Sequence, residues 1–222
     1  MTLKEKYRLV FEYFEAAMPF ADTELKYSDP FGLLVAVILS AQCTDKRVNM
    51  ITPALLEEYP DAKAMAKAEP SEIFRFIKSC TYPNNKAKNL KGMARMLVEE
   101  FDGKVPSDIA ELQQLPGVGR KTANVVASVY YRKPVIAVDT HVFRVARRIG
   151  LVRNANTPLS VEKQLSEHVP ESKMRNAHHW LILHGRYICK ARNPLCEECG
   201  LKNLCNYYAS LQKTIRKKAL KR

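Results

Sequence analysis

The sequence predicts an all-α fold. Three observations carry that expectation. Apolar residues recur at helical spacing along nearly every segment. Capping residues and prolines stand where those segments begin. The one strand-like run, Val135 to Val138, is short and reads as an extended connector.

In chain order, Leu3 to Ala17 shows helical spacing, and Pro30 to Ala41 is apolar all round, as a fully buried helix would be. Ser71 is expected to cap a helix running to about Cys80. The pattern from Asn85 to Phe101 stops ahead of Gly103, which suits the position after a helix end. Ser107 is read as the cap of a short helix, Asp108 to Leu115. Arg120 to Tyr131 forms another helix, ended before Pro134. Asp139 caps a helix running to Gly150, and Thr157 with Pro158 opens the next. Glu171 to about Ile188 is long and leads into a run of cysteines. The linkers are short, there is no internal repeat, and a domain boundary is expected near Lys133–Pro134.

The 222 residues suffice for one large or two small domains with a sizeable core. A hydrophobic share of 46% excludes wholesale disorder. The longest apolar run, Phe31 to Ala41, is too short to span a bilayer, and MTLKEKYRLV lacks a signal-peptide core. A cytoplasmic protein without a membrane partner is expected. Lysine and arginine number 36 against 23 acids, a net charge of +13 that favours a polyanion as partner. Six basic residues and no acid lie in 213–222, read as a solvated, mobile tail that attracts phosphates.

Six cysteines in such a chain argue against a disulfide framework. Cys43 and Cys80 stand alone in the sequence and read as buried small hydrophobes. The other four follow Cys189-x6-Cys196-x2-Cys199-x5-Cys205. Four thiolates that close together can wrap one metal centre, and both zinc and a [4Fe–4S] cluster accept four thiolates. The single CxxC pair, where a zinc ribbon has two, favours the cluster. Lys190 and Arg192 lie in the loop between the first two cysteines, placed to meet phosphates if the metal pins that loop.

Leu115-Pro116-Gly117-Val118-Gly119 separates two helical segments. Its glycines permit a tight turn and expose amides at the next helix start, where phosphate binds. Arg120 and Lys121 follow at once, so the string reads as a helix-hairpin-helix that grips the DNA backbone rather than its sequence. Lys121 is either a phosphate contact or a nucleophile, since lysine amines form Schiff bases with carbonyl-like carbons. A free lysine titrates near about 10.4, and burial, a helix N-terminus and Arg120 are each expected to favour the free amine. Asp139 reads first as an N-cap, and His141 as a structural or phosphate-contacting residue.

LPGVGRKTANVV at 115–126, VDTHVFRV at 138–145, LSAQCTD at 39–45 and HGRYICKARNPLCEECGLKNLC at 184–205 together resemble the endonuclease III family. The resemblance runs from about residue 5 to 207. It implies a helix-hairpin-helix glycosylase fold: a six-helix barrel over 22–133, and a cluster domain made of 1–21 and 134–222, with a DNA cleft between them. It implies a [4Fe–4S] cluster on Cys189, Cys196, Cys199 and Cys205. The substrate implied is double-stranded DNA carrying oxidised pyrimidines or abasic sites, bound by a nucleoid-associated monomer. Lys121 matches the catalytic lysine, which attacks C1′ of a flipped nucleotide, displaces the base and nicks the strand by β-elimination. Asp139 matches the aspartate that assists it. Gln42 matches a glutamine that fills the gap left by the flipped base. The remaining DNA contacts fall to the hairpin (Gly117, Val118, Gly119, Arg120), His141, Lys190 and Arg192.

The chain departs from the family pattern at one place. Many members carry Gly-Leu-Tyr where this sequence has Thr81-Tyr82-Pro83. Tyr82 thus takes the position of the wedging leucine, either as a stacking wedge or as an ordinary packed turn residue. Related adenine-mismatch enzymes carry serine at the place of Lys121, and thymine-mismatch enzymes carry tyrosine, so the lysine argues against both. A non-catalytic DNA-binding module would share the hairpin, the charge and the cysteines; only Lys121 with Asp139 separates it from an enzyme.

Overall fold

The computed structural model describes residues 1–219, and every regular element among them is helical. In chain order these are α1 (Leu3–Ala17), α2 (Pro30–Ser40), α3 (Asp45–Glu58), α4 (Ala62–Lys67), α5 (Pro70–Ile77), α6 (Pro83–Glu100), α7 (Ile109–Leu112), α8 (Arg120–Val129), α9 (Thr140–Ile149), α10 (Pro158–His168), α11 (Glu171–Tyr187) and α12 (Asn206–Ala219), with one 3-10 turn at Lys202–Leu204. Val135 to Val138 is an extended connector, as its sequence suggests. No described helix is long and apolar enough to cross a membrane. The chain divides into two compact units, Thr23–Lys133 and the combination of Met1–Asp22 with everything from Pro134 onward.

The Thr23–Lys133 unit is built around α2. Asp29 caps that helix, its Oδ1 accepting from the Gly32 amide at 2.8 Å, and Pro30 fills the first turn. Every residue from Phe31 to Leu39 is buried. A helix with no polar face needs neighbours on all sides, and α3, α6 and α8 pack against it. Each fully buried Leu, Val or Ile there contributes roughly 1.5–3 kcal/mol. The longest helix of the unit, α6, buries Leu90, Met93, Ala94 and Leu97 and packs against α4 and α5. It stops as expected at Gly103, whose amide reaches back to the Leu97 carbonyl at 2.8 Å.

Three helix starts differ from the sequence expectation. Helix α5 begins at Pro70, with Glu69 rather than Ser71 as cap; Glu69 and Glu72 form a reciprocal capping box. Helix α6 begins at Pro83, two residues before Asn85, since proline suits a first helical turn. Asp108, not Ser107, caps α7, accepting from the Ala110 and Glu111 amides, and α7 ends at Leu112. Helices α3 and α4 were not expected at all. Pro53 lies inside α3 and reads as a break, and six residues of α4 are too few to show a period.

In the other unit α1 lays Tyr7, Val10, Phe11 and Phe14 into the core. Phe11 and Phe14 pack on Trp180 of α11, and Tyr7 donates to the Leu151 carbonyl at 2.9 Å. Helix α9 buries Val142, Val145, Ala146 and Ile149, one stripe at helical spacing, and packs against α10, α11 and α12. Asp139 is its N-cap and Gly150 its C-cap, both as expected. The ammonium of buried Lys6 donates to the Ile149 carbonyl at 3.0 Å and to Asn206 Oδ1 at 2.7 Å, tying α1, α9 and α12 together. Helix α12 corrects the reading of the basic tail: 213–219 continue a helix, because Gln212, Lys213, Arg216 and Lys217 are good helix formers with no breaker among them. Residues 220–222 of that expected tail lie outside the described residues.

Candidate functional site

The hairpin between α7 and α8 closes with the Val118 amide donating to the Leu115 carbonyl at 3.0 Å. Val118 turns inward and is buried, which anchors the turn. Gly117 has φ +80°, and a Cβ there would lie 2.9 Å from Asn89 Cβ. Gly119 caps α8 without a side-chain capping bond, and a Cβ on it would meet nothing within 4 Å. The start of α8 is thus open at its cap position, and a helix N-terminus of this kind suits an anion. Lys121, the second residue of α8, is exposed. Of the three influences expected on its amine, burial is thus not supplied by the chain itself. The helix N-terminus and Arg120 remain adjacent to it.

Gln42 and Tyr82 sit on two loops of the same unit, and both are exposed with left-handed backbones, φ 55° and 54°. Such a conformation in a non-glycine residue is held by its surroundings. Here Thr81 Oγ1 donates to the Gln42 carbonyl at 2.7 Å, joining the loops directly. Lys86, nearly fully buried on α6, donates to the carbonyls of Leu39 at 2.8 Å and Ala41 at 2.7 Å. It closes the C-terminal end of α2 one residue before Gln42. Burial lowers the Lys86 ammonium from its ordinary value. Tyr82 is 61% exposed, so its ring does not pack into the core; it serves as N-cap residue of α6 with the ring free. Cys43 and Cys80 correct the reading of two solitary buried thiols: their sulfurs lie 3.7 Å apart, and Cys43 is only half-buried. Lys86, Thr81 and this thiol pair were missed in the sequence, where a lysine on a helix reads as a solvated charge.

On α9 the cap and the cysteine segment are linked. Asp139 Oδ1 accepts from the His141 and Val142 amides, each at 2.8 Å, which leaves Oδ2 for other work. His141 Nδ1 lies 3.2 Å from Arg144 Nη2, and Arg144 also donates to the carbonyls of Cys189 at 3.0 Å and Gly185 at 2.8 Å. One turn on, Arg148 donates to the carbonyls of Lys190 at 2.7 Å and Ala191 at 3.1 Å. The Lys190 and Arg192 loop is held by its backbone while both residues remain exposed. The arginines that hold it were missed because charge alone does not show that a side chain reaches a carbonyl of a distant segment.

Cys189, Cys196, Cys199 and Cys205 line one cavity, walled by apolar residues such as Ile149, Ile188 and Leu201. Burial, with the neighbouring thiols, pushes the Cys196 and Cys199 thiols up; Cys205 is raised by burial, against two backbone hydrogen bonds. Left to themselves these groups stay protonated, and a cationic centre is what would make them thiolates. Arg148 Nη1 stands 3.6 Å from Cys189 Sγ, a positive partner beside one corner. Among the described residues no three Cys, His, Asp or Glu side chains gather tightly enough for a single ion. The fit to an iron–sulfur centre rests on four soft donors around one apolar cavity.

A basic helical protein with a helix-hairpin-helix and a four-cysteine pocket has the features of a DNA-binding protein. Residues 35–171 match the HhH-GPD superfamily of base excision DNA repair proteins, and residues 189–205 match the iron–sulfur binding domain of endonuclease III. Endonuclease III of Rickettsia felis is 49% identical over 90% of this chain and 94% of its own. That of Escherichia coli K12 is 46% identical over 85% of this chain and 89% of its own. A trapped endonuclease III–DNA covalent intermediate superposes with a TM-score of 0.91 at 42% identity, covering 96% of this chain and 100% of that one. A thermostable thymine-DNA glycosylase superposes at 0.84 with 26% identity, covering 93% and 98%. The chain belongs to the endonuclease III family, and it carries that family's [4Fe–4S] cofactor.

Proposed function

We propose that Lys121 is the nucleophile of this enzyme, a base-excision DNA glycosylase with AP lyase activity. Its unprotonated Nζ attacks C1′ of a flipped, oxidised pyrimidine nucleotide, the glycosidic bond breaks and the base leaves. Loss of the amine proton gives an imine to the opened sugar. Abstraction of a C2′ proton then expels the 3′ phosphate, which nicks the strand. Asp139 accepts the amine proton and faces the positive charge that develops on the sugar; Oδ2 is the oxygen not used by the α9 cap. The hairpin amides and Arg120 hold the phosphates near the lysine. Gln42 and Tyr82 enter the duplex at the vacated stack, and His141, Lys190 and Arg192 meet backbone phosphates.

Cys189, Cys196, Cys199 and Cys205 would hold the cluster, which supplies a covalent brace for the loop bearing Lys190 and Arg192. The chain is read as a monomer that works on nucleoid DNA in the cytoplasm.

The observation that carries this reading is the exposed Lys121 at the second position of α8, directly after a glycine-capped helix start with open space at the Gly119 Cβ position. A relative trapped as a covalent DNA intermediate supports the same chemistry. Borohydride reduction in the presence of duplexes containing thymine glycol or an abasic site should yield a covalent protein–DNA adduct. Lys121→Gln should abolish it while DNA binding survives. An adduct that persists in Lys121→Gln would refute the choice of nucleophile, and binding without any adduct would return the chain to a non-catalytic module.

A further inference from the structure

We propose that Cys43 and Cys80 form a reversible disulfide that clamps the Gln42 and Tyr82 loops to each other. The two thiols are separated by 37 positions in sequence, yet their sulfurs lie 3.7 Å apart. Cys43 follows Gln42 directly, and Cys80 precedes Thr81 and Tyr82. Each loop is fixed near its cysteine by a short backbone bond, Cys43 to the Ser40 carbonyl at 3.0 Å and Cys80 to the Ile77 carbonyl at 2.8 Å. A disulfide has its sulfurs about 2.05 Å apart, so closure needs a movement of about 1.7 Å. Rotation about the two Cα–Cβ bonds with a small shift of the loops can supply it.

The two thiols are unlike, which orders the chemistry. Cys43 is half-exposed and open to an oxidant. Cys80 is buried, and burial with the nearby Cys43 pushes its thiol up to about 11, against the pull of Lys86 and Arg47. Cys43 therefore reacts first. Its thiolate attacks a peroxide, the O–O bond breaks, hydroxide leaves and Cys43 becomes a sulfenic acid. Cys80 sulfur then attacks Cys43 sulfur, the S–O bond breaks, and the Cys80 proton departs with hydroxide as water. The net change is two thiols and one hydrogen peroxide to one disulfide and two waters. A dithiol reductant reverses it by exchange. A transient bridge of this kind is the usual form of disulfide in a reducing compartment.

The consequence for DNA rests on the reading that both loops enter the duplex. Bonded loops separate less, so the oxidised protein should bind a lesion duplex several-fold more weakly, and dithiothreitol should restore the affinity.

Full-length holoprotein treated with hydrogen peroxide and digested with trypsin without reduction should yield 27–46 joined to 79–86, two hydrogens lighter than the separate peptides. Anisotropy with a duplex containing a tetrahydrofuran abasic analogue reads the affinity, and visible absorbance reports the cluster. Cys43→Ser and Cys80→Ser should lack the joined peptide and bind alike before and after peroxide. Absence of the joined peptide overturns the site. A joined peptide with unchanged affinity overturns the clamp, as does a peroxide effect that persists in Cys43→Ser. If the reduced protein ignores the duplex while the peroxide-treated protein still yields the joined peptide, the DNA reading is refuted and the disulfide stands.

Discussion

Lys86 Nζ donates to the Ala41 carbonyl at 2.7 Å, and the next residue, Gln42, leaves the helix with φ 55°. The same ammonium satisfies the Leu39 carbonyl, so one cation completes the end of the most buried helix of its unit. Lys86→Met keeps the apolar stem and removes the donor. The buried Leu39 carbonyl then loses its partner, and the part-buried Ala41 carbonyl loses its own beside solvent, at a cost of about 1–3 kcal/mol. Urea unfolding should show that loss. Because the Gln42 backbone depends on the same bonds, DNA affinity should fall beyond what the unfolded fraction explains. A variant as stable as the parent would show that water replaces the ammonium.

How far the sequence reveals such features depends on whether the cause is local. The buried helix α2, the Asp139 cap and the hairpin before Lys121 follow from neighbouring residues and were legible. Proline at the first helical position is legible at Pro158 but not at Pro70, where Ser71 stands close by as a good cap, nor at Pro83, where the helical pattern begins at Asn85. Lys86 and the pair Cys43–Cys80 were not legible, because each acts across about forty positions that only packing brings together. Arg144 and Arg148 are one turn apart, which announces a shared face but not the carbonyls that face meets.

Asp139 Oδ1 caps α9, the proposed proton transfer falls to Oδ2, and two substitutions divide the two roles. Asparagine caps a helix about as well as aspartate, so Asp139→Asn should leave stability within about 0.5 kcal/mol of the parent. Alanine removes the cap and should cost about 1 kcal/mol. Both should lower the single-turnover rate of base release by about 100-fold or more, the range for a positioned proton-transfer group. Thermal unfolding and quenched-flow base release check this. Full activity in Asp139→Asn would make the residue a cap alone.

The two hairpin glycines should respond oppositely in stability. Gly117→Ala forces a left-handed φ on alanine and places a methyl 2.9 Å from Asn89 Cβ. A loss of roughly 1–3 kcal/mol is expected. Gly119 has an ordinary φ of −85° with open space at its Cβ position. Gly119→Ser supplies a capping hydroxyl and should hold or raise the melting temperature. That hydroxyl also takes amides proposed to bind phosphate, so DNA affinity should fall in a protein that is no less stable. Unchanged affinity in Gly119→Ser would move the phosphate site elsewhere.

Removal of the iron should separate binding from chemistry. The segment 190–191 hangs on Arg148, and the proposed cluster ligands Cys189 and Cys196 flank it. Cluster-depleted protein should therefore bind lesion DNA more weakly, with a shallower salt dependence because fewer phosphates are contacted. At saturating protein the single-turnover rate should stay near that of the holoprotein. A rate that collapses under saturation would place the cysteine segment in the reaction itself.

His179 sets a stability dependence on pH. It is 3% exposed, and burial, with Arg175 and Arg186 alongside, lowers it to about 4, despite Asp22 at 3.5 Å from its Nε2. In the unfolded chain it titrates near about 6.5. Between these values the folded protein keeps it neutral while the unfolded chain binds a proton. The unfolded state then holds more protons, so stability rises with pH through this window. The contribution is complete above about pH 6.5 and is lost as the pH falls towards 4. From pH 7 to pH 5 the residue should account for about 2 kcal/mol. His184 is also lowered to about 4 by burial, but it lies 3.6 Å from Cys199, so only the difference between parent and His179→Gln isolates the residue in question. Urea unfolding of both proteins at several pH values should show the shallower slope in His179→Gln, and equal slopes would mean that His179 is charged in the folded protein through Asp22.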